Sequence, residues 1–106
     1  MMELKNIMKL LGGFGIPIAY HHFAEGESPE PPFLIYLTPG SHNFSADGMV
    51  YFKVKQLDVE LYTDKKDLAL EEELEKILDA QGIFYNKTET YIKSEKLYEV
   101  LYELEV

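Results

Sequence analysis

The stretch "MVYFKVKQLDVELYT", Met49 to Thr63, constrains the fold more than any other part of the chain. Apolar and polar residues alternate along it, as in a strand with one buried face. The alternation changes phase partway. Val50, Phe52 and Val54 share one parity, whereas Leu57, Val59 and Leu61 share the other. A strand against a single core cannot switch parity without an extra residue, because a slip of one turns every side chain to the opposite face. No Gly, Pro, Asn or Asp stands at positions 53–57 to turn the chain. The stretch therefore reads as one long strand with a bulge near Lys55–Gln56.

The flanking segments supply the other elements. Leu4, Ile7, Met8 and Leu11 follow the spacing of one helical face and end at Gly12–Gly13, glycine being the usual residue past a helix C-terminus. A helix of about three turns is not stable alone and has to lie on something. Residues 12–32 hold four of the seven glycines and four of the five prolines and read as an irregular crossing. "FLIYLT", Phe33 to Thr38, is a short apolar strand closed by Pro39–Gly40, and Ser41 to Gly48 reads as a loop of turn residues. After the long strand, Asp64 reads as a helix N-cap with Asp67 at the third helical position. Leu70, Leu74, Ile77 and Leu78 form the apolar stripe of that helix, and Gly82 ends it. Two strands follow, Phe84 to Thr90 and Leu97 to Glu105. Strands grouped on either side of one helix predict an α+β domain spanning residues 1–106, with a largely antiparallel four-stranded sheet and two helices packed on one face. The other face, carrying Asp58, Glu60 and tyrosines, is expected to be wet or an interface.

Composition narrows the function. A chain of 106 residues fits one small domain. It has no cysteine, which excludes disulfides and thiolate metal sites. Nineteen acids face ten bases, for a net charge of −9, and every base is a lysine. Reading guanine or phosphate leans on the guanidinium fork, so an acidic chain without arginine is a poor grip for nucleic acid. No apolar run reaches the length of a membrane span. Lys5 and Lys9 interrupt the N-terminal apolar residues, so "MMELKNIMKLLGG" does not read as a signal peptide. A cytoplasmic site of synthesis is expected.

Candidate chemistry is sparse. His21 and His22 open the segment "YHHFAEGESPEPPFLIYL". Adjacent side chains diverge in strands and helices, and His42 is remote in sequence, so the histidines read as a connector into the first strand and not as a metal site. Glu71, Glu72 and Glu73 are expected to splay over the solvated side of their helix, where catalytic carboxylates would need burial. Ser41, His42, Ser45 and Asp47 lack a nucleophile-elbow motif. Gly12-Gly13-Phe14-Gly15 ends a helix and lacks the G-K-[ST] of a phosphate loop. No catalytic residue, cofactor or metal is expected. Seven of the eight tyrosines fall on expected strands or their ends, as half-buried sheet positions or as a protein contact surface.

Three stretches carry a resemblance: "PPFLIYL", the loop "GSHNFSADGMVYFKV", and "VELYTDKKD" running into the acidic helix. From about Pro17 onward the chain resembles the tail-completion (tail-terminator, head–tail joining) proteins of long-tailed phages and prophages of low-GC Gram-positive bacteria. The resemblance implies an α+β fold, no catalysis, and assembly into a ring, expected to be a hexamer. Such a ring caps the tail tube and meets the head connector. Its partners would be other copies of itself, tail-tube proteins and connector proteins, and it would reside in the virion after assembly in the host cytoplasm. DNA would pass through the ring without being read in sequence, and no membrane is involved. The family's loop matches Ser41 to Gly48; apart from that match, apolar residues set among turn formers make Asn43, Phe44, Asp47 and Met49, with strand-borne tyrosines, the expected oligomer interface. The alternative is a small acidic monomer of regulatory type that imitates DNA charge, which would spread its acids over one surface and expose few aromatics.

Overall fold

The alternating stretch forms one uninterrupted strand of 15 residues, and the molecule is arranged around it. The computed structural model describes the backbone of residues 4–24, 26, 29–46 and 49–105, and the side chains of the same residues outside 41–54. In chain order the elements are α1 (Leu4–Gly12), β1 (Ile18–Tyr20), β2 (Phe33–Leu37), β3 (Ser41–Ala46), β4 (Met49–Thr63), α2 (Leu68–Ala80), β5 (Tyr85–Ile92) and β6 (Leu97–Glu105). The main sheet has the order β1-β2-β4-β6-β5. β1 runs parallel to β2, and the remaining pairs are antiparallel. Among the described residues no helix is long and apolar enough to cross a membrane.

The α+β class stands, but the sheet has five strands and is mixed, not four strands and antiparallel. The strand missed in sequence is β1. Three residues between glycines and prolines cannot display a period, and β1 owes its strand conformation to pairing with β2. The Leu34 amide donates to the Pro17 carbonyl at 2.8 Å, and the His21 amide to the Tyr36 carbonyl at 2.9 Å.

Both helices press on one face. Ile7 and Leu11 of α1, with Leu74 and Leu78 of α2, meet Leu34, Leu57, Val59, Leu61, Val100, Tyr102 and Leu104 in one buried cluster. Directly paired residues share a face, so the register Leu61↔Val100, Val59↔Tyr102 and Leu57↔Leu104 sets the inner layer. Ile77 is only half-buried. The cap of α2 is Asp67, whose carboxylate accepts from the Leu70 amide at 3.1 Å. Asp64 is therefore not the cap: it lies exposed, one turn upstream of the helix. At the other end the Ile83 amide reaches the Leu78 carbonyl and the Gly82 amide reaches Asp79. This paired closure requires a left-handed residue, met by Gly82 at φ +67°.

β4 changes company along its length. Residues 56–63 lie in the main sheet with β6 on one side, and residues 58–62 have β2 on the other. Residues 49–55 pair with β3 instead. The segment read as a loop is therefore mostly strand: Ser41–Ala46 forms β3, while Asp47 and Gly48 lie outside the described residues. The expected bulge at Lys55–Gln56 is also corrected. The β4–β6 register is regular from Gln56 to Thr63, and the shift falls at Phe44/Ser45 in the β3–β4 ribbon. The change of parity marks the point where β4 leaves the core and becomes half of a two-stranded arm. The molecule is correspondingly long, 49 × 29 × 23 Å with a radius of gyration of 15.1 Å, against about 13 Å for a compact chain of this length.

Candidate functional site

Three places on the molecule concentrate polar chemistry. The first lies between α2 and the outer strands. Glu71 is 2% exposed, although it belongs to the glutamate run expected in solvent. It sits one turn before Leu74 and two before Leu78, inside the apolar stripe, so helical spacing alone was enough to place it inward. Lys66 Nζ reaches Glu71 Oε2 at 2.5 Å and also pairs with Glu89. Lys87 Nζ lies 2.8 Å from Glu71 Oε1 and 2.8 Å from Glu75 Oε2. The contact to Oε1 is an ion pair by distance, and no aligned donor reaches that oxygen. Tyr102 donates to Glu75 Oε2 at 2.8 Å, and Tyr85 to Oε1 at 3.4 Å.

Burial pushes the Glu71 and Glu75 carboxyls up, but Lys66 and Lys87 beside Glu71, and Lys87 with the Tyr102 and Tyr85 hydroxyls beside Glu75, outweigh it and hold both below the ordinary carboxylate range. Burial likewise works against the charge of Lys66 and Lys87, and the glutamates overcome it and raise both. Burial raises the Tyr102 phenol, and Glu75 and Glu71 add to the shift. At neutral pH Glu71 and Glu75 are thus fixed as carboxylates, Lys66 and Lys87 as ammonium groups and Tyr102 as a phenol. These shifts move Glu71, Glu75, Lys66, Lys87, Tyr85 and Tyr102 away from proton exchange near pH 7. What the arrangement does is pin α2 to β5 and β6.

The second place is the histidine pair. His21 has φ +65°, and this left-handed turn brings its Nδ1 within 3.1 Å of His22 Nδ1. The two rings therefore converge where sequence spacing expected them to diverge. Both are exposed, and one imidazole nitrogen satisfies the other. Among the described residues no group of three or more histidines and acids is placed to hold a metal ion.

The third place is the sheet face away from the helices. By register, Asp58 stands directly opposite Glu103, Tyr62 opposite Glu99, and Glu60 opposite Leu101. Like charges in direct opposition are destabilising. Burial raises the Glu60 carboxyl, Glu99 and Asp58 add to it, and the Tyr62 hydroxyl, donating at 3.0 Å, offsets part. Among the described residues the crossing from β1 to β2 meets this face on its β2 side, where Phe23 meets Phe33 edge-on and Phe33 stacks on Tyr62. The expected abundance of tyrosine here is corrected. Tyr36, Tyr85, Tyr91, Tyr98 and Tyr102 share the helix side through their register with Val59, Leu104 and Thr63. Of the strand tyrosines whose side chains are described, Tyr62 alone stands on the open face, and the surface there is acidic.

The expected interface residues divide. Asn43 and Phe44 lie in β3 and Met49 begins β4, so the backbone brings them together on the arm. Their side chains, that of His42 and the whole of Asp47 lie outside the described residues. Comparison with known proteins gives no family model that matches the chain and no curated protein that matches it.

Proposed function

We propose that this chain is a structural assembly protein of the tail-completion type, forming a ring that caps the tail tube of a long-tailed phage or prophage and meets the head connector. The observation that carries this reading is the arm. A two-stranded ribbon is marginal in water; among the described residues no third strand pairs with this one, yet it runs past the sheet as a continuation of the central strand. Such a ribbon gains most when a neighbouring subunit covers it. The resemblance of "VELYTDKKD" and its flanks points the same way, and the arm carries Asn43, Phe44 and Met49. An acidic wall without arginine suits a ring through which DNA passes without being held.

A second reading keeps one observation of its own. The open face presents Asp58, Glu60, Glu99 and Glu103 together, as a monomer imitating DNA charge would. Deleting the gene separates the two. For a tail-completion protein, heads and tails accumulate unjoined, and Phe44→Asp reproduces the defect while circular dichroism shows an intact fold. If heads and tails join normally without the gene, the assembly reading is wrong.

A further inference from the structure

We infer that the β3–β4 arm of one subunit docks across the acidic open face of the next, making a head-to-tail contact between copies of this chain. The inference rests on the ring reading and names the surfaces that would close it. Charge complementarity is the first support. Residues 41–55 carry Lys53 and Lys55 against the single acid Asp47, a net +1, while the whole chain is −9, which leaves −10 on the remainder. The arm is thus a positive segment on a strongly negative molecule. The acids left without a facing helix, Asp58, Glu60, Glu99 and Glu103, lie on the sheet face at the other half of the same long strand.

Geometry excludes the chain's own face as the partner. β4 is one strand from Met49 to Thr63, so the arm leads away from its own sheet and cannot fold back without breaking that strand. Another copy has no such restriction. The arm section of β4, residues 49–55, rises about 20 Å at ~3.3 Å per residue. The strands from β2 to β5 span about 15 Å at ~4.8 Å per interval, so the arm is long enough to cross them. Sequence composition fits as well: beyond the register shift at Phe44/Ser45, Phe52 and Val54 alternate with Lys53 and Lys55 along β4, against a face holding Leu101 among carboxylates. The two surfaces differ, so the contact is heterologous, the kind that builds a ring where its rotation closes and a filament where it does not. A patch of this footprint is roughly 300 Å², well under the ~800 Å² per partner of a stable pairwise interface. One contact is weak by itself, and a closed ring holds each subunit twice.

The test uses equal amounts of isotopically heavy and light chains at high concentration, treated with a zero-length carbodiimide that joins lysine to carboxylate. Links between heavy and light chains are expected from Lys53 or Lys55 to Glu99 or Glu103. Reversing the arm (K53E with K55E) or the face (D58K with E103K) is expected to reduce them at least tenfold, and mixing the two reversed proteins is expected to restore them. Mixed-isotope links that are absent, that use other lysines, or that survive reversal would overturn the docking. So would reversed proteins whose mixture restores nothing, provided circular dichroism shows both folded. The ring reading fails separately: reversed proteins that still build the same oligomer by light scattering refute this contact alone, whereas normal head–tail joining without the gene refutes the function.

Discussion

Glu71 and Glu60 show how the same side chain acquires opposite energetics on the two faces of one sheet. Glu71 and Glu75, held below the ordinary carboxylate range by the partners described above, contribute stability that is present above that range and is lost as pH falls through their lowered folded values. Lys87→Ala strips Glu71 Oε1 of its cation and takes one of Glu75's partners. Urea denaturation at pH 7 is expected to show a loss of about 1–3 kcal/mol, shrinking toward zero at acidic pH where the carboxylates are protonated. Glu60 behaves in reverse. Its raised carboxyl favours the protonated form in the fold, a contribution present below the ordinary range and lost as pH rises through the raised value. Glu60→Gln is therefore expected to stabilise at pH 7 by a few tenths of a kcal/mol, the scale of a screened surface charge, and to change little at pH 3. A destabilised Gln variant at pH 7 would show that the Tyr62 hydrogen bond outweighs the acidic neighbours. Sequence gave access to only part of this chemistry. The inward position of Glu71 was legible from its spacing to Leu74 and Leu78. Its pairing with Lys87, sixteen positions away on another strand, depends on tertiary register and left no local trace.

The elements separate according to how each earns its conformation. Helix α1, the long strand and the final hairpin were readable to within a residue or two, and α2 everywhere but at its first turn. β1 and β3 were not, because "IAY" and "SHNFSA" become strands only through a partner laid beside them. The cap of α2 was misplaced by three residues for a related reason: both aspartates have the right chemistry, and only the backbone turn at Asp67 aims a carboxylate at a free amide. Asp67→Ala is expected to cost about 1 kcal/mol and Asp64→Ala almost nothing, measured by thermal unfolding. The stripe can be graded in the same way. Leu74→Ala, at a fully buried position, is expected to lose about 2–5 kcal/mol, and Ile77→Ala distinctly less. Equal losses at the two positions would contradict the packing of α2 described above.

For the whole molecule, charge and shape pull in different directions. A net charge of −9 on 12.3 kDa repels copies at long range, while the arm and the open face attract at contact. Salt screens the long-range term first, because the Debye length is about 8 Å at 0.15 M and falls to about 3 Å at 1 M. Light scattering is therefore expected to show association rising from low to moderate salt and receding near molar salt, with an optimum between. A rise that continues into molar salt would indicate an interface dominated by apolar burial, and a steady fall from the lowest salt would indicate that local attraction outweighs net repulsion throughout.

The continuity of β4 also governs how the molecule answers force. Its inner half is laddered to β6 along its length and to β2 over residues 58–62, and its outer half is the arm itself. A pull on the arm along its axis loads both ladders in shear, so their hydrogen bonds must fail together instead of unzipping in turn. Tension delivered at the tip is thus carried straight into the middle of the core, without a loop between them to stretch. A neighbour that seizes the arm grips the molecule by its spine.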